Sequence, residues 1–455
     1  EIDNGLAPGA VTNAIREDPR KKGLLYAATE TQVWVSFNDG DSWQSLRLDM
    51  PAVSVRDIQL KDDNNCMCSD LIAGTHGRGF WILDDVTPLR QEAAARSAST
   101  AYLFKPETAL RIRLATNDPT PWPPEMPAGE NPPNGAIIDY YLASSVSGPV
   151  TVDILDAGGK LVRTYTSELK RDTDPALDPA AYDKVCQSTP GAADCGVPLY
   201  WPSRTRSMPT SAGMHRISWN LRYQPMSETR GDVDATGAVP NRSSASPSSP
   251  WAPPGTYTVR LTVAGRSYTQ PLTVRLDPRV KTPAAALALN TKLSLEMYEL
   301  ARSTRQAYGQ AHDLGEKLAQ LQKDQKVDVA AFKAQVDSVA PSEARGGRRF
   351  FGARGGGRPA ITLNGASSAA LAASLAMQSA ETAPTAAQIA ACARARTEAQ
   401  AAMTRWNAMK TTGLSSFNAM LKTKGQPAVT LPAVRPPVAL PSDVNGNVNE
   451  NENDG

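Results

Sequence analysis

Short runs in which apolar and polar residues alternate fill residues 1–92 and predict β-strands. One pair of runs, 23–29 and 32–36, is followed by a second pair, 70–75 and 79–84. The pairs align at an offset of about 47 residues, close to the roughly 40–50 residues of a propeller blade. Two blades alone leave long sheet edges open. Residues 1–92 are therefore expected to be the last blades of a β-propeller.

A second β region is predicted over residues 93–278. Its alternating runs are 109–113, 136–142, 150–155, 160–165, 214–221, 255–263 and 268–276, with a hairpin turn at 156–159. Strands of this number and length are typical of an immunoglobulin-like or fibronectin-like β-sandwich. Two long loops, roughly 166–212 and 224–254, are expected to interrupt it.

From Thr282 the apolar period becomes helical, which predicts a helical bundle over 279–425. Thr282 and Pro283 suit an N-cap and a first helical position, and Thr385 with Gln388 forms a second start signal, the capping box. An Arg/Gly-rich insertion is expected at 341–368, and residues 426–455 are expected to be a disordered tail. The apolar stripes are assigned to the core and comprise Leu289, Leu293, Met297, Leu300, Leu314, Leu318, Leu321, Ile389, Cys392, Met403, Trp406, Leu414, Phe417 and Leu421.

Composition narrows the choice of partners. The formal net charge is +2, so there is no global reason to expect nucleic acid, and no run of about 18 apolar residues predicts a membrane span. The basic segment 345–358 is a weaker nucleic-acid hypothesis, set against a plain insertion between helices. Cys186 and Cys195 flank a short loop and are a candidate disulfide, which would favour an oxidising compartment. Cys66 and Cys68 are too close for a zinc site.

The segment Ser36-Phe-Asn-Asp-Gly-Asp-Ser-Trp43 has the form of an Asp-box, a turn motif of propeller hairpins. The box is formed by Ser36, Asn38, Gly40, Ser42 and Trp43. The Asn38 side chain can bond nearby backbone amides, Gly40 allows a positive φ, and Trp43 supplies apolar packing. The motif is therefore assigned to the scaffold.

Catalytic and metal-binding chemistry find little support in the sequence. The three histidines belong to three different predicted regions, so no metal and no cofactor is predicted. No Gly-x-Ser-x-Gly elbow occurs, and nothing in the sequence pairs two carboxylates across a cleft. His76 and Arg78, between glycines, are candidate ligand-facing residues, and the alternative is a plain turn between strands.

These residues together resemble a known family. The segments 23–30, 35–43 and 75–90 resemble large bacterial Asp-box propeller proteins of the sortilin-like and glycosyl-hydrolase-like type. That resemblance implies a propeller followed by a β-sandwich and a C-terminal helical region. The chain is accordingly expected to be the C-terminal part of a longer protein, and the alternative is that a partner chain supplies the remaining blades.

Two functions follow from this architecture as hypotheses. The first is a secreted or periplasmic protein that binds peptides, proteins or glycans and acts as a scaffold. The second is the non-catalytic C-terminal part of a glycoside hydrolase, whose active site lies on missing blades. No catalytic residue of this chain matches a motif of either group, so none is assigned.

Overall fold

A computed structural model describes residues 2–64, 68–113, 122–123, 125–126, 132–133, 135–168, 207–226, 249–325, 327–341 and 361–434. The protein contains both sheets and helices, which confirms the β-plus-α class. Among the described residues, no helix has the length and apolar character needed to cross a membrane.

Two antiparallel sheets form the first region. Their strands are β1 (Thr12–Glu17), β2 (Leu25–Thr29), β3 (Val33–Ser36), β4 (Gln44–Ser45), β5 (Val55–Asp63), β6 (Cys68–Thr75) and β7 (Phe80–Leu83). The strand orders are β1-β2-β3-β4 in the first sheet and β5-β6-β7 in the second. Buried side chains of both sheets, among them Tyr26, Val35, Ile58 and Leu71, form one core between them.

The internal repeat extends to the strand register. In the first sheet, Trp34 of β3 lies opposite Ala27 of β2. In the second sheet, Trp81 of β7 lies opposite Ala73 of β6. Because β3 and β7 match at an offset of 47 residues, Val33, Trp34 and Val35 correspond to Phe80, Trp81 and Ile82. The two sheets are thus built from the same hairpin.

Two further sheets form the second region. Their strands are β8 (Ala101–Leu103), β9 (Ala109–Arg111), β10 (Ala136–Leu142), β11 (Val150–Leu155), β12 (Leu161–Thr166), β13 (Gly213–Trp219), β14 (Gly255–Val263) and β15 (Arg266–Leu276). The orders are β13-β10-β8 and β12-β11-β14-β15-β9, with β9 parallel to β15. Inward side chains of both sheets, including Ile138, Val152 and Val259, belong to one core. The sequences of β1 and β8 carry no clear alternation of apolar and polar residues, so the sequence does not predict these strands.

Helices follow in the order expected. They are α1 (Thr87–Arg90) and α2 (Glu92–Arg96) between the β regions, then α3 (Ala284–Gln325), α4 (Ala330–Val339), α5 (Leu363–Met377), α6 (Ala386–Ala408) and α7 (Leu414–Thr423). A π-helical segment, Met409–Gly413, joins α6 to α7.

The helix-start predictions had different outcomes. The capping box of Thr385 and Gln388 is confirmed at the start of α6. The prediction for Thr282 is wrong, because its hydroxyl donates to the Glu381 carbonyl and α3 begins at Ala284.

Two predicted core positions are also wrong: Leu289 and Ile389 are more than two-fifths exposed, since the helices turn those positions to solvent.

The predicted disordered tail is wrong over residues 426–434. Val429 and Leu431 pack against the core of the helical region. The Asn418 side chain donates to the Val429 carbonyl at 3.0 Å and accepts from the Val429 amide at 2.8 Å. Residues 426–434 are therefore held by contacts that the composition does not reveal, and residues 435–455 lie outside the described part of the chain.

One arginine joins the first region to the second. Arg216 of β13 donates to both carboxylate oxygens of Asp139 in β10, at 2.9 and 3.0 Å. It also donates to the carbonyls of Asp84 at 2.6 Å and Asp85 at 3.1 Å, directly after β7. Arg216 therefore fixes the end of β7 against the second region.

Glu107 lies at the same junction, in the segment between β8 and β9. Burial raises the pKa of Glu107 to about 8, and the carboxylates of Asp85 and Asp70 add to the shift. One of its carboxylate oxygens, Oε2, is buried and has no hydrogen-bond partner. The neutral acid is therefore the form that fits this environment.

We expect Glu107 to make folding stability fall as pH rises. An unfolded glutamate titrates at about pH 4.3, so between there and about pH 8 the folded state keeps a proton that the unfolded state has released. Urea unfolding of Glu107→Gln should show a flatter pH profile, with a gain of roughly 1–3 kcal/mol over wild type at alkaline pH. Exposed Glu316→Gln is the control, and identical slopes for wild type and Glu107→Gln would contradict the assignment.

Candidate functional site: the open edge of the second sheet

The Asp-box residues close the turn between β3 and β4. The Asn38 side-chain oxygen accepts from the Ser42 amide at 3.0 Å and from the Ser36 hydroxyl at 2.9 Å. The Ser36 hydroxyl in turn accepts from the Gly40 amide at 2.9 Å. Asp39 and Gly40 both have positive φ, 59° and 92°, which turns the chain back towards β3. The side chains of the box therefore replace the missing backbone partners of this turn.

Trp43 anchors the box to the start of the chain. Its indole N–H donates to the Ile2 carbonyl at 2.7 Å, and its backbone amide donates to the Asn4 carbonyl at 2.8 Å. Its ring packs with Trp34 and Ala27 on the side of the first sheet away from the shared core. Trp43 thus holds the entrance of β4 in place.

Because the box returns the chain, β4 covers the edge of β3. Val35 is paired with Gln44, and the Val33 carbonyl accepts from the Leu46 amide at 2.9 Å. Backbone groups on an antiparallel strand point alternately to its two neighbours, so Val33 and Val35 are the residues that face β4. Their side chains are also buried, at 3% and 2% exposure.

The matching edge of β7 is open. The Thr75 amide donates to the Gly79 carbonyl, so by alternation Gly79, Trp81 and Leu83 face β6. The backbone groups of Phe80 and Ile82 therefore point away from the sheet, where the described residues supply no strand. Their side chains are exposed, Phe80 by 80% and Ile82 by 55%.

The chain leaves β7 without a counterpart of β4. At the position of the Asp-box, the second repeat reads Asp84-Asp85-Val86-Thr87-Pro88 and turns into α1. It has no glycine for the positive φ that the first turn uses at Gly40. Sequence reasoning missed Phe80 and Ile82 as functional candidates, although the loss of the Asp-box in the second repeat is a visible signal for this open edge.

His76 and Arg78 lie on the loop that leads into this edge. Both side chains are exposed. The His76 amide donates to the Ser54 carbonyl at 2.8 Å, and the Arg78 amide donates to the Thr75 hydroxyl at 3.2 Å. The Trp81 indole donates to the Arg78 carbonyl at 3.1 Å, which ties the loop to β7. The two predicted ligand-facing residues are thus neighbours of Phe80 and Ile82.

Acidic side chains flank the other end of β7. Burial raises the pKa values of Asp84 and Asp85, and Asp70 adds to the shift at Asp84. The described residues hold no group of three or more metal-ligating side chains. Arg78, before the strand, is exposed, whereas Asp84, after it, is half-buried and interacts with the charges of Arg216 and Lys61.

The cysteines bear on the cellular compartment. Cys68, at the start of β6, is disulfide-bonded, and Cys392 is a buried free thiol in α6. The predicted Cys186–Cys195 pair and the basic segment 345–358 lie outside the described residues.

A concave surface lies on the second region. It is a cavity of about 490 Å³ lined by residues 97–101 and 266–268. Its lining contains four serine and threonine hydroxyls, the Arg266 guanidinium and the Tyr268 side chain. The Arg266 guanidinium donates to the Thr100 hydroxyl at 3.4 Å.

Comparisons with protein-family models, with curated proteins and with solved structures found no match for this chain. The interpretation of both surfaces therefore depends on their own geometry.

The Asp-box can be tested as a scaffold element. Asn38→Ala removes the acceptor of the Ser42 amide and the Ser36 hydroxyl, and we expect it to lower the free energy of unfolding by about 1–2 kcal/mol. Asn38→Asp keeps an acceptor oxygen at the same place and should lose much less. Urea denaturation of both variants measures this difference, and equal losses would mean that these hydrogen bonds do not stabilise the turn.

Proposed function

We propose that this protein is a binding and scaffolding module that takes up an additional β-strand at the edge of β7. The observation that carries the proposal is the contrast between two matching edges. β4 covers Val33 and Val35 on β3, whereas no described strand covers Phe80 and Ile82 on β7.

The edge offers the usual requirements for strand addition. An incoming extended segment can form main-chain hydrogen bonds with Phe80 and Ile82. Alternate side chains of that segment can contact the exposed ring of Phe80 and the exposed alkyl side chain of Ile82. Soluble proteins commonly protect an edge strand with lysine, proline or a bulge. β7 has none of these three devices, and its short length is the one protective feature of this edge.

At the level of the fold, we propose that the first two sheets are blades of a β-propeller and that the second region is an immunoglobulin-like sandwich. The shared hairpin register and the Asp-box geometry support the first assignment, and the common core of two sheets supports the second. The remaining blades, from the same chain or from a partner chain, are one source of the additional strand. The disulfide at Cys68 supports an extracellular or periplasmic location.

Strand addition can be tested with a fluorescent peptide of alternating valine and threonine. We expect it to bind wild type, and we expect the same peptide with every amide N-methylated not to bind, because it lacks the donors for an antiparallel ladder on either edge. Fluorescence anisotropy measures both affinities.

Ile82→Pro and Ile82→Thr form a matched pair for this test. Proline removes only an amide that faces away from β6, so the hairpin should remain folded, and peptide binding should be lost. Threonine keeps the amide and loses apolar contact, so binding should only weaken. Equal binding by wild type and Ile82→Pro, or by the methylated peptide, would overturn the proposal.

A second candidate function, glycan binding, is favoured by the cavity at residues 97–101 and 266–268. Hydroxyl groups can exchange hydrogen bonds with sugar hydroxyls, the Tyr268 ring can pack against a sugar face, and Arg266 can pair with a carboxylate. The cavity therefore fits a short oligosaccharide that carries an acidic sugar.

Titration calorimetry with two oligosaccharides, one containing glucuronate and one neutral, tests this second candidate. We expect Arg266→Gln to weaken binding of the acidic oligosaccharide about tenfold and to leave the neutral one unchanged, because only the acidic sugar uses the guanidinium. Exposed Arg47→Gln serves as the control. No binding of either oligosaccharide to wild type would exclude this role for the cavity.

A further inference from the structure

Residues 426–434 follow α7 without forming a helix or a strand, and side chains of the helices hold them in place. The Asn418 side chain of α7 pairs with both backbone groups of Val429. It donates to the Val429 carbonyl at 3.0 Å and accepts from the Val429 amide at 2.8 Å. Asn418 thus takes the place that a neighbouring strand has in a sheet, and these two bonds are independent of the side chain at position 429.

Two side chains of α3 hold the same segment further along. Gln310 donates to the Pro432 carbonyl at 2.7 Å, and Lys317 donates to the Thr430 carbonyl at 3.5 Å. Gln310 is only 7% exposed, so the segment supplies the acceptor that a buried amide needs. The surface formed by Gln310, Lys317 and Asn418 is called the tail-binding site below. Its hydrogen bonds all go to the backbone of an extended segment.

The side chains of the bound segment add selectivity. Val429 and Leu431 pack against the core of the helical region, and Pro432 is buried. Because proline has no N–H, it can be buried at this position without leaving a donor unpaired. The Thr430 side chain is exposed, and this residue contacts the site through its carbonyl. The site therefore favours the pattern Val-x-Leu-Pro and accepts different residues at x.

The sequence contains this pattern a second time. Val429-Thr-Leu-Pro432 is followed nine residues later by Val438-Ala-Leu-Pro441, and the pattern occurs nowhere else in the sequence. The three residues that the site buries wholly or in part are the same in both copies. The one difference, Thr430 against Ala439, falls at the exposed position. Residues 438–441 lie outside the described residues, but their sequence meets every requirement of the site.

We propose that the tail-binding site takes either of these two segments of its own chain, so that residues 438–441 can replace residues 429–432. The exchange lengthens the connection from α7 to the bound segment by nine residues, and the cost of closing a loop rises only slowly with its length. Since both segments belong to the same chain, the second is always present at a high effective concentration. This inference concerns the helices and is independent of the edge of β7.

A fluorescent peptide of residues 435–443 reports whether the site is open in the whole chain. Leu431→Asp places a charge in the first segment, and Leu440→Asp does the same in the second. We expect the double variant to bind the peptide most tightly in fluorescence anisotropy. Leu431→Asp alone should bind it at least about tenfold more weakly, because its own second segment occupies the site. Wild type and Leu440→Asp should also bind it weakly, because residues 429–432 stay bound.

Two further variants control for unspecific effects. Val434→Asp places the same charge on a residue of the segment that is 56% exposed, and it should behave like wild type. Asn418→Leu, added to the double variant, removes both bonds to the backbone and should abolish peptide binding. Peptide binding that survives Asn418→Leu would place the peptide elsewhere and overturn the assignment of the site.

Urea unfolding gives a second readout that needs no added peptide. Leu440→Asp should leave the unfolding midpoint of wild type unchanged, and it should lower the midpoint of Leu431→Asp, because only there does the second segment hold the site. Equal effects of Leu440→Asp in both backgrounds would overturn the exchange.

The remaining outcomes decide where the second segment comes from. Leu431→Asp that binds the peptide as tightly as the double variant would overturn the exchange, and a double variant that binds no peptide would overturn recognition of the pattern. Sedimentation equilibrium of Leu431→Asp should show a monomer. Dimers that appear together with protection from the peptide, both rising with protein concentration, would mean that a second copy supplies the segment and would overturn exchange within one chain.

Discussion

The position of the open edge depends on the hydrogen bonds of Arg216. Its guanidinium pairs with Asp139, a carboxylate that is only 3% exposed, and also donates to the two carbonyls that follow β7. A buried carboxylate needs a counter-charge, and a guanidinium needs several acceptors in fixed directions. Arg216 meets both needs at once, at the point where the chain leaves β7 and turns into α1.

This constraint explains why a strong hairpin remains incomplete. The first hairpin and the second have the same register and the same Trp at the same place, Trp34 and Trp81. In the first hairpin, the Asp-box turns the chain back, and β4 forms hydrogen bonds with the outward backbone N–H and C=O groups of β3. In the second, the residues that would form the turn are held at the junction by Arg216. The open edge thus lies directly beside the residues that join the first region to the second.

A second junction holds the helices to the β regions by a related device. Arg111 and Arg113 both pair with Glu381, in the connection between α5 and α6. These two guanidinium groups and that of Arg222 lie 4.9–5.8 Å from the centre of the Trp251 ring. A guanidinium stacked on an indole loses part of its hydration, and the cation–π interaction with the ring offsets part of that cost. Both junctions therefore use arginines that pair with a carboxylate distant in sequence.

The sequence by itself determined the strands of the two repeated hairpins, the β10, β11 and β14 strands, the capping box at Thr385 and the turn chemistry of Ser36–Trp43. Each of these depends on neighbours within a few residues, where alternation, capping and positive φ leave a local pattern. The tertiary structure alone decided that Phe80 and Ile82 are exposed whereas Val33 and Val35 are buried, that Leu289 and Ile389 face solvent, and that residues 426–434 pack on the helices. Those outcomes depend on which surfaces meet, and local alternation shows that a face is apolar without showing what covers it.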